Sequence, residues 1–386
     1  VELMRNRLRE GAVGKDDSKV GANGPGGHDM AWIASSLGVS KTTVFRALHN
    51  KGRVSPQTRA RVIELAESVR YRPNSLASGL RRTRTHTVGV VVPGLNGSVI
   101  GRISEGAEEA AQQAGYTLLM GVSHHDQDRE SILIARFIER RVDGLLIVPT
   151  AVSGPTPAYR ELCDRGIPFV LLDRTFRGEP ISDSVATDHW AGGNMLGRHF
   201  VETGRRRPAF ACLLADPAPP RSIVERYDGF KKAFEDTGAA PPVEIDGQIM
   251  ELARAAAARV GSEESPHSFS ELFLRAMQEA LLPYLQDLPF DSLFAAYDHA
   301  AASAIHVLTS SGIDVPDRVA VAGFDDQDFT EYLNPPLTTV RQPFRQIGKV
   351  GMRLLADRMS SGARPDRFQE IRIEPRLIVR RSTGCV

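Results

Sequence analysis

The sequence has little cysteine, few aromatic residues and no long apolar run, and each shortage closes off a class of protein. Three cysteines in 386 residues, Cys163, Cys212 and Cys385, are too scattered and odd in number for a disulfide framework or a zinc cluster. They read as reduced thiols, the first two as small buried hydrophobes. No window approaches the roughly 18–20 uninterrupted apolar residues of a membrane helix. The opening stretch VELMRNRLREGAVGKDDSKVGANGPGGH also lacks the apolar core of a secretion signal, so the expected location is the cytoplasm, with no membrane partner. There is no nucleophile elbow, no phosphate-cradling glycine loop and no paired-carboxylate signature, and hence no argument for an enzyme. Neither a cofactor nor a metal is expected. His124 and His125 in SHHDQD find no third ligand in the sequence and read as a solvated loop at a strand end.

What is present is ordinary in amount and uneven in placement. Hydrophobic residues at 41% and charged residues at 25% are the proportions of a soluble globular protein, and 386 residues exceed what one core organises. The net charge of +1 hides an asymmetry. Residues 29–84 hold eleven Lys and Arg against three acids, or +8; the rest holds 37 of the 48 basic and 44 of the 47 acidic residues, or −7. A small basic unit on an acidic body suits a head that binds a polyanion.

Residues 1–28, rich in glycine and charge, read as a disordered leader. From Asp29 to Arg72 three short helices are expected: MAWIASSL with Asp29 as N-cap, KTTVFRALHN, and SPQTRARVIELAESVRY with Ser55 as N-cap and Pro56 at the first helical position. Residues 73–85 form a linker with one weak helix, SLASGLR, capped by Asn74 and too short to stand unaided. Beyond it, continuous apolar runs such as VGVVVP, GLLIVP, FVLL and VAVAGF alternate with amphipathic helices, the pattern of parallel strands covered on both faces. About ten such strands imply two doubly wound sheets, with ligands bound at the carboxyl ends of strands or between the halves.

The first two helices carry the spacing A-x-x-x-G-V-x-x-x-x-V through Ala34, Gly38, Val39 and Val44, which suits a helix-turn-helix; a purely structural hairpin is the plainer alternative. If Val44 points inward, Lys41, Thr42, Phe45 and Arg46 point outward, towards a major groove. Ser40 would cap that helix and reach a phosphate, and Thr43, His49 and Arg53 complete the DNA-facing set in the head.

The run GVSKTTVFRALHNKGRVSPQTRARVIELAESVRYRPNSLASGLRRTRTHTVGVVVP, followed by RRVDGLLIVP, IPFVLLDR, RYDGF, VAVAGFDD and PPLTTVRQP, resembles the LacI/GalR family of transcription regulators. The resemblance implies an all-α helix-turn-helix head and a periplasmic-binding-protein-like α/β body of two doubly wound parallel-sheet subdomains. These are expected at about 86–186 with 344–372, and at about 187–343 with 373–386. It also implies a dimer on a palindromic double-stranded DNA operator, a repressor controlled by a sugar-like or nucleoside-like effector. The absence of a heptad tail after RLIVRRSTGCV agrees with a dimer and no higher assembly. The family's minor-groove lever falls on Leu80, with Ala77 and Asn74 in the same linker; the plainer alternative for Leu80 is a staple onto its own body. Its effector residues fall on Asp173, Arg226 and Asp325, each otherwise a strand-end cap or surface ion pair, and Tyr297 and Asp298 complete the effector set.

Four departures stand out. The family's aromatic pair after the first body strand is replaced in NGSVI by Gly97, Ser98 and Val99, and Tyr297 stands where asparagine is common. Extra chain, including ELARAAAARV, lies between Phe230 and Phe294. Phe45 replaces the usual serine, either to cover a thymine methyl group or to rest on the flank of its own head. The reading from another class is an α/β solute-binding protein or enzyme with an incidental helical head.

Overall fold

The computed structural model describes residues 29–69, 71, 84–95, 98–150, 154–176, 178–212, 220–246, 269–362 and 367–384. The chain divides into two units, Val1–Thr83 and Arg84–Val386.

In the first unit α1 spans Met30–Leu37, α2 Lys41–Leu48 and α3 Pro56–Ser68. Each start is fixed by a side chain: Asp29 accepts from the Trp32 N–H, Ser40 from Thr43 and Ser55 from Thr58, with Pro56 supplying the preset φ of a first helical residue. Gly38 ends α1 at φ +65°, a conformation that costs a side-chain-bearing residue, and this lets the chain reverse into α2. Ile33, Ala34, Val44, Ala47, Val62 and Ala66 are buried together, so Val44 does face inward. The second helix stops at Leu48, two residues short of the expected end, because His49 caps it and Asn50 turns at φ +51°. The expected leader 1–28 and the linker positions Asn74, Ala77 and Leu80 lie outside the described residues.

The second unit contains two six-stranded sheets. The first has the order β11-β5-β4-β3-β1-β2, from Thr87–Val92 (β1), Thr117–Val122 (β2), Gly144–Ile147 (β3), Phe169–Leu172 (β4), Asp183–Thr187 (β5) and Glu370–Ile373 (β11). The second has the order β12-β10-β9-β8-β6-β7, from Pro208–Cys212 (β6), Val243–Asp246 (β7), Ser292–Ala295 (β8), Ala320–Asp325 (β9), Thr338–Arg341 (β10) and Arg376–Ile378 (β12). All pairings are parallel except β10 with β12.

Buried strands such as β3 and β4 are apolar throughout because helices cover both faces of each sheet. Around the first sheet stand α4 (Ser98–Ala114), α5 (Gln127–Glu139), α6 (Pro157–Asp164) and α11 (Phe344–Ser361). Around the second stand α7 (His189–Glu202), α8 (Arg221–Glu235), α9 (Phe269–Leu281) and α10 (Asp298–Ser310). In each half one helix pair crosses so closely that only glycine fits. A Cβ on Gly106 would lie 1.9 Å from the Arg345 carbonyl, and one on Gly229 would lie 2.0 Å from that of Trp190.

One expectation needs correction. The described residues hold twelve strands where the apolar pattern promised about ten, since EIRI and RLI at the sheet edges alternate charged and apolar residues. Arg84 and Thr85, at the end of the expected linker, bond to the second unit: Arg84 donates to the Met359 carbonyl, and the Asp143 carboxylate accepts from the Thr85 and His86 N–H groups at 2.7 Å each. In the replaced aromatic segment, Ser98 begins α4 and Val99 packs into the first subdomain's core. Of the extra chain, residues 247–268 lie outside the described residues, and α9 follows, closing over the second sheet through Phe273, Met277 and Leu281.

Candidate functional sites

In the first unit, α2 presents one polar, basic face. Its anchoring side, Val44 and Ala47, is in the core; Lys41, Thr42 and Arg46 are exposed, as are Ser40 and Arg53. Thr43 is tied to the cap, its Oγ1 2.9 Å from that of Ser40. Gly52 leaves room for the Arg46 stem, since a Cβ there would meet Arg46 Cδ at 3.2 Å. Phe45 is half-buried and stacks on His49, one helical turn on, with ring centroids 4.3 Å apart and planes 28° apart, while His49 Nδ1 lies 3.0 Å from the Phe45 carbonyl oxygen. Phe45 and His49 therefore act as one unit of surface.

In the second unit, the carboxyl ends of β4, β8 and β9 converge beside the start of α7. Asp173 follows β4 at φ +66°, and Asp325 ends β9 at φ +121°, both left-handed conformations held against their intrinsic preference. Arg226, on α8 and 4% exposed, lies among them. Its Nε donates to His189 Nδ1 at 3.2 Å, its Nη1 to the Ala296 carbonyl at 2.5 Å, and its Nη2 stands 3.8 Å from Asp325. The guanidinium rests on the Phe324 ring at 3.8 Å, with the Tyr297 centroid at 5.5 Å. Gln342 donates to Asp325 and accepts from Thr187, each at 2.6 Å, so a hydrogen-bond chain runs from the first sheet through a crossover to the cluster.

The predicted effector residues thus meet, but they are not equivalent. Asp173 lines a small recess between the subdomains, together with Thr187, His189, Ser222, Glu225 and Arg372. Asp298 is fully buried, and its oxygens accept from Thr339 Oγ1 at 2.6 Å and the Gln327 N–H at 2.8 Å. Tyr297 packs against Phe273 of α9 and lies along the guanidinium, which occupies it as a core residue more than as a platform for a ligand.

Burial pushes the carboxyls of Asp173, Asp325 and Asp298 upward; Arg226 opposes this at Asp325, and the neighbouring Asp325 adds to it at Asp298, which reaches about 8. Burial, then the charges of Arg226 and Arg372, holds His189 well below the ordinary imidazole range. The raised Asp298 has a measurable consequence. Between about pH 4, where an unfolded aspartate ionises, and about 8 the folded chain keeps a proton that the unfolded chain has lost, so stability falls as pH rises. The neutral His189 contributes the opposite slope below about pH 6.5. The melting midpoint is therefore expected to fall between about pH 6.5 and 8 and to level off above that, and Asp298→Asn to flatten that fall in a calorimetric series.

Sequence reasoning missed His189 and four charges at the recess mouth. Arg221 and Glu225 on α8 face Glu370 and Arg372 on β11, with Arg221 to Glu370 at 3.0 Å and Arg372 to Glu225 at 2.9 Å, so the ring of charges bridges the subdomains. Across the body, Arg102 of α4 pairs with Asp328 beyond β9. The only sequence signal for His189 was its place directly after a strand end and the N-cap Asp188. His124 and His125 sit in the turn after β2, and the described residues contain no group of three ligands able to hold a metal.

Three family descriptions match: bacterial regulatory proteins of the lacI family over residues 30–74, the periplasmic binding proteins and sugar-binding domain of the LacI family over 85–257, and a periplasmic binding protein-like domain over 198–383. The HTH-type transcriptional regulator DegA of Bacillus subtilis (strain 168) is 30% identical over 91% of this chain and 97% of its own length. The HTH-type transcriptional repressor PurR of Edwardsiella ictaluri (strain 93-146) is 27% identical over 91% of this chain and 96% of its own. The transcriptional regulator CelR, solved with cellobiose, superposes with a TM-score of 0.63 at 27% identity over 92% of this chain and 99% of that one. With a head built on the helix-turn-helix spacing, a two-sheet body with a cleft at its strand ends, and relatives matched over nearly their whole length, the chain belongs to the LacI family of bacterial transcriptional regulators.

Proposed function

We propose that this regulator is a repressor that binds a palindromic operator as a dimer and is released or recruited by a small polar effector in the body cleft. The observation that carries the DNA half is the exposed face of α2, where Lys41, Thr42 and Arg46 stand outward while Val44 and Ala47 lock the helix down. Arg46 suits a bidentate contact to guanine, while Ser40, Lys41 and Arg53 suit phosphates. Asp173, Arg226, His189 and Asp325 hold the effector half, and Asp298 and Tyr297 support them from within the second subdomain. A ligand that draws the two sheets together or apart changes the separation of the linkers, and with it the population able to span two half-sites. The reading is of a binding protein acting in the cytoplasm, not of an enzyme.

A duplex from the region upstream of its own gene tests the DNA half. Affinity is expected to fall steeply with salt, as Lys and Arg displace counterions; no binding at low salt would sink the proposal. For the dimer, the support is apolar exposure along the edge strand β2, at Leu119 and Met120, and at Ile132 on α5. Sedimentation is expected to give a dimer, and a stable tetramer or monomer would refute it. Replacing Leu80 with alanine should weaken operator binding far more than nonspecific binding. Phe45→Ser, which breaks the stack on His49, is expected to change the preferred base pair at one position of each half-site; identical selected sites for both proteins would make Phe45 a packing residue.

A further inference from the structure

The second unit begins at Arg84, and β1 pairs with β2 from Thr87 onward. The three residues between, Arg84, Thr85 and His86, are exposed, yet each donates a hydrogen bond to the body. Asp143, directly before β3, supplies most of the hold. Its carboxylate accepts from two successive main-chain N–H groups, Oδ1 from Thr85 and Oδ2 from His86, at 2.7 Å each. The Thr85 hydroxyl lies 3.0 Å from the Arg141 carbonyl oxygen and 3.2 Å from Asp143 Oδ1. Asp143 is itself held in place, since its N–H donates to the Thr87 carbonyl at 2.8 Å. Hydrogen bonds to a carboxylate are of the strong kind, and a pair of them on neighbouring residues fixes position and direction together.

Two further observations set this segment apart from an ordinary lead into a strand. His86 has φ +53°, a left-handed turn that a non-glycine residue keeps only when its surroundings hold it there, and its own N–H and that of Thr85 are both held by Asp143. Its ring is tilted against Tyr116, with centroids 5.7 Å apart. Arg84 donates to the carbonyl of Met359 in the last turn of α11, one of the four carbonyls that a helix leaves without an internal partner. A cation at that end also suits the helix dipole.

We propose that Asp143, with Arg84, is a positioning residue for operator binding: it fixes the point and the direction in which each linker leaves the body, and so the separation of the two heads. This rests on the reading of the protein as a dimer on two half-sites. Without the carboxylate the first fixed residue is Thr87. Three residues then come free in each subunit, with about 10 Å of reach, or about 20 Å for the pair. Half-sites one helical turn apart lie about 34 Å from centre to centre. Slack of that size exceeds half the distance to be spanned, so freed linkers no longer tell the right spacing from a wrong one. What is lost is the gain from binding both halves at once, because that gain depends on the second head being held near its site. The grip of each head on its own half-site is untouched.

The test uses the full chain and a site that the wild type selects from random duplex DNA. Fluorescence anisotropy compares three duplexes: the selected site, the same site with one half scrambled, and the site lengthened at its centre by two base pairs, about 7 Å. The wild type should prefer the intact site to both others. In Asp143→Ala the preference for the intact over the half-scrambled site is expected to fall roughly tenfold. Affinity for the half-scrambled site should be unchanged, and lengthening should cost less than in the wild type. Arg84→Gln should lower the same ratio to a smaller extent; its lost charge weakens both duplexes alike and cancels. The melting midpoint of each variant reports folding of the body. If Asp143→Ala does not fold, Asp143→Asn replaces it: its amide oxygen can serve only one of the two N–H groups, and a partial fall in the ratio is expected. A folded Asp143 variant with the wild-type ratio, or one that loses equally on intact and half-scrambled sites, would overturn the clamp and leave the dimeric reading in place. A wild type that selects no site, or binds the half-scrambled one as tightly as the intact one, would overturn both.

Discussion

Val44→Asp is expected to abolish operator binding while leaving the body folded. Val44 is fully buried in a head whose core consists of six small or branched side chains, Ile33, Ala34, Val44, Ala47, Val62 and Ala66. A carboxylate forced into that core without a partner costs several kcal/mol, about as much as the whole stability of so small a unit. The fraction of folded head should fall by at least about a hundredfold, and affinity for the duplex with it, since 2.7 kcal/mol corresponds to roughly that factor. The body has its own four core clusters and forms a separate unit. Its melting midpoint and its effector affinity should therefore match those of the wild type. Fluorescence anisotropy on labelled DNA and calorimetry on the same preparation check both halves; wild-type DNA affinity in this variant would mean that α2 is not anchored through Val44.

Gly229→Leu should have an effect as large on the other unit. The Cβ it introduces would stand 2.0 Å from the Trp190 carbonyl and 2.9 Å from the Asn194 nitrogen, backbone that cannot swing aside as a side chain would. Across the same crossing, a Cβ on Gly193 would lie 2.1 Å from the Arg226 carbonyl. Separating α7 from α8 costs about 3 kcal/mol or more. It also pulls apart His189, on α7, and Arg226, on α8, which are joined by a hydrogen bond. Thermal stability and effector binding are expected to fall together. Gly101→Ala is the control, for no atom lies within 4 Å of a Cβ at that helical position. It should raise stability by about 0.5–1 kcal/mol. If Gly229→Leu melts like the wild type, the close crossing is wrong.

Much of the fold was legible because its determinants are local. Asp29, Ser40, Ser55 and Pro56 each act within three residues of the helix they start. Buried parallel strands reveal themselves as apolar runs, and β1, β3, β4 and β9 all did. The edge strands did not, because β11 and β12 keep charged residues on the solvent side and have no run to show. Phe45 lay between two readings in the sequence. The separation of four residues that brings it over His49 was visible there, but the stacking of the rings was not.

The effector cluster divides in the same way. Resemblance brought Asp173, Arg226, Tyr297, Asp298 and Asp325 into one list of equals, but burial ranks them. Asp298 has both oxygens engaged by Thr339 and Gln327, and Tyr297 is tied to Phe273, while Asp173 lines the recess.

The sequence by itself determined the family, the basic head and the two-sheet body, because charge composition, helix caps and apolar periodicity are properties of neighbouring residues. Only the tertiary structure decided what the cleft can read. His189 meets the guanidinium of an arginine 37 positions away, and the bridge across the cleft mouth joins charges of α8 and β11 that are 147 positions apart. Hydrogen bonds and ion pairs act over a few ångströms, and only folding brings such distant residues that close.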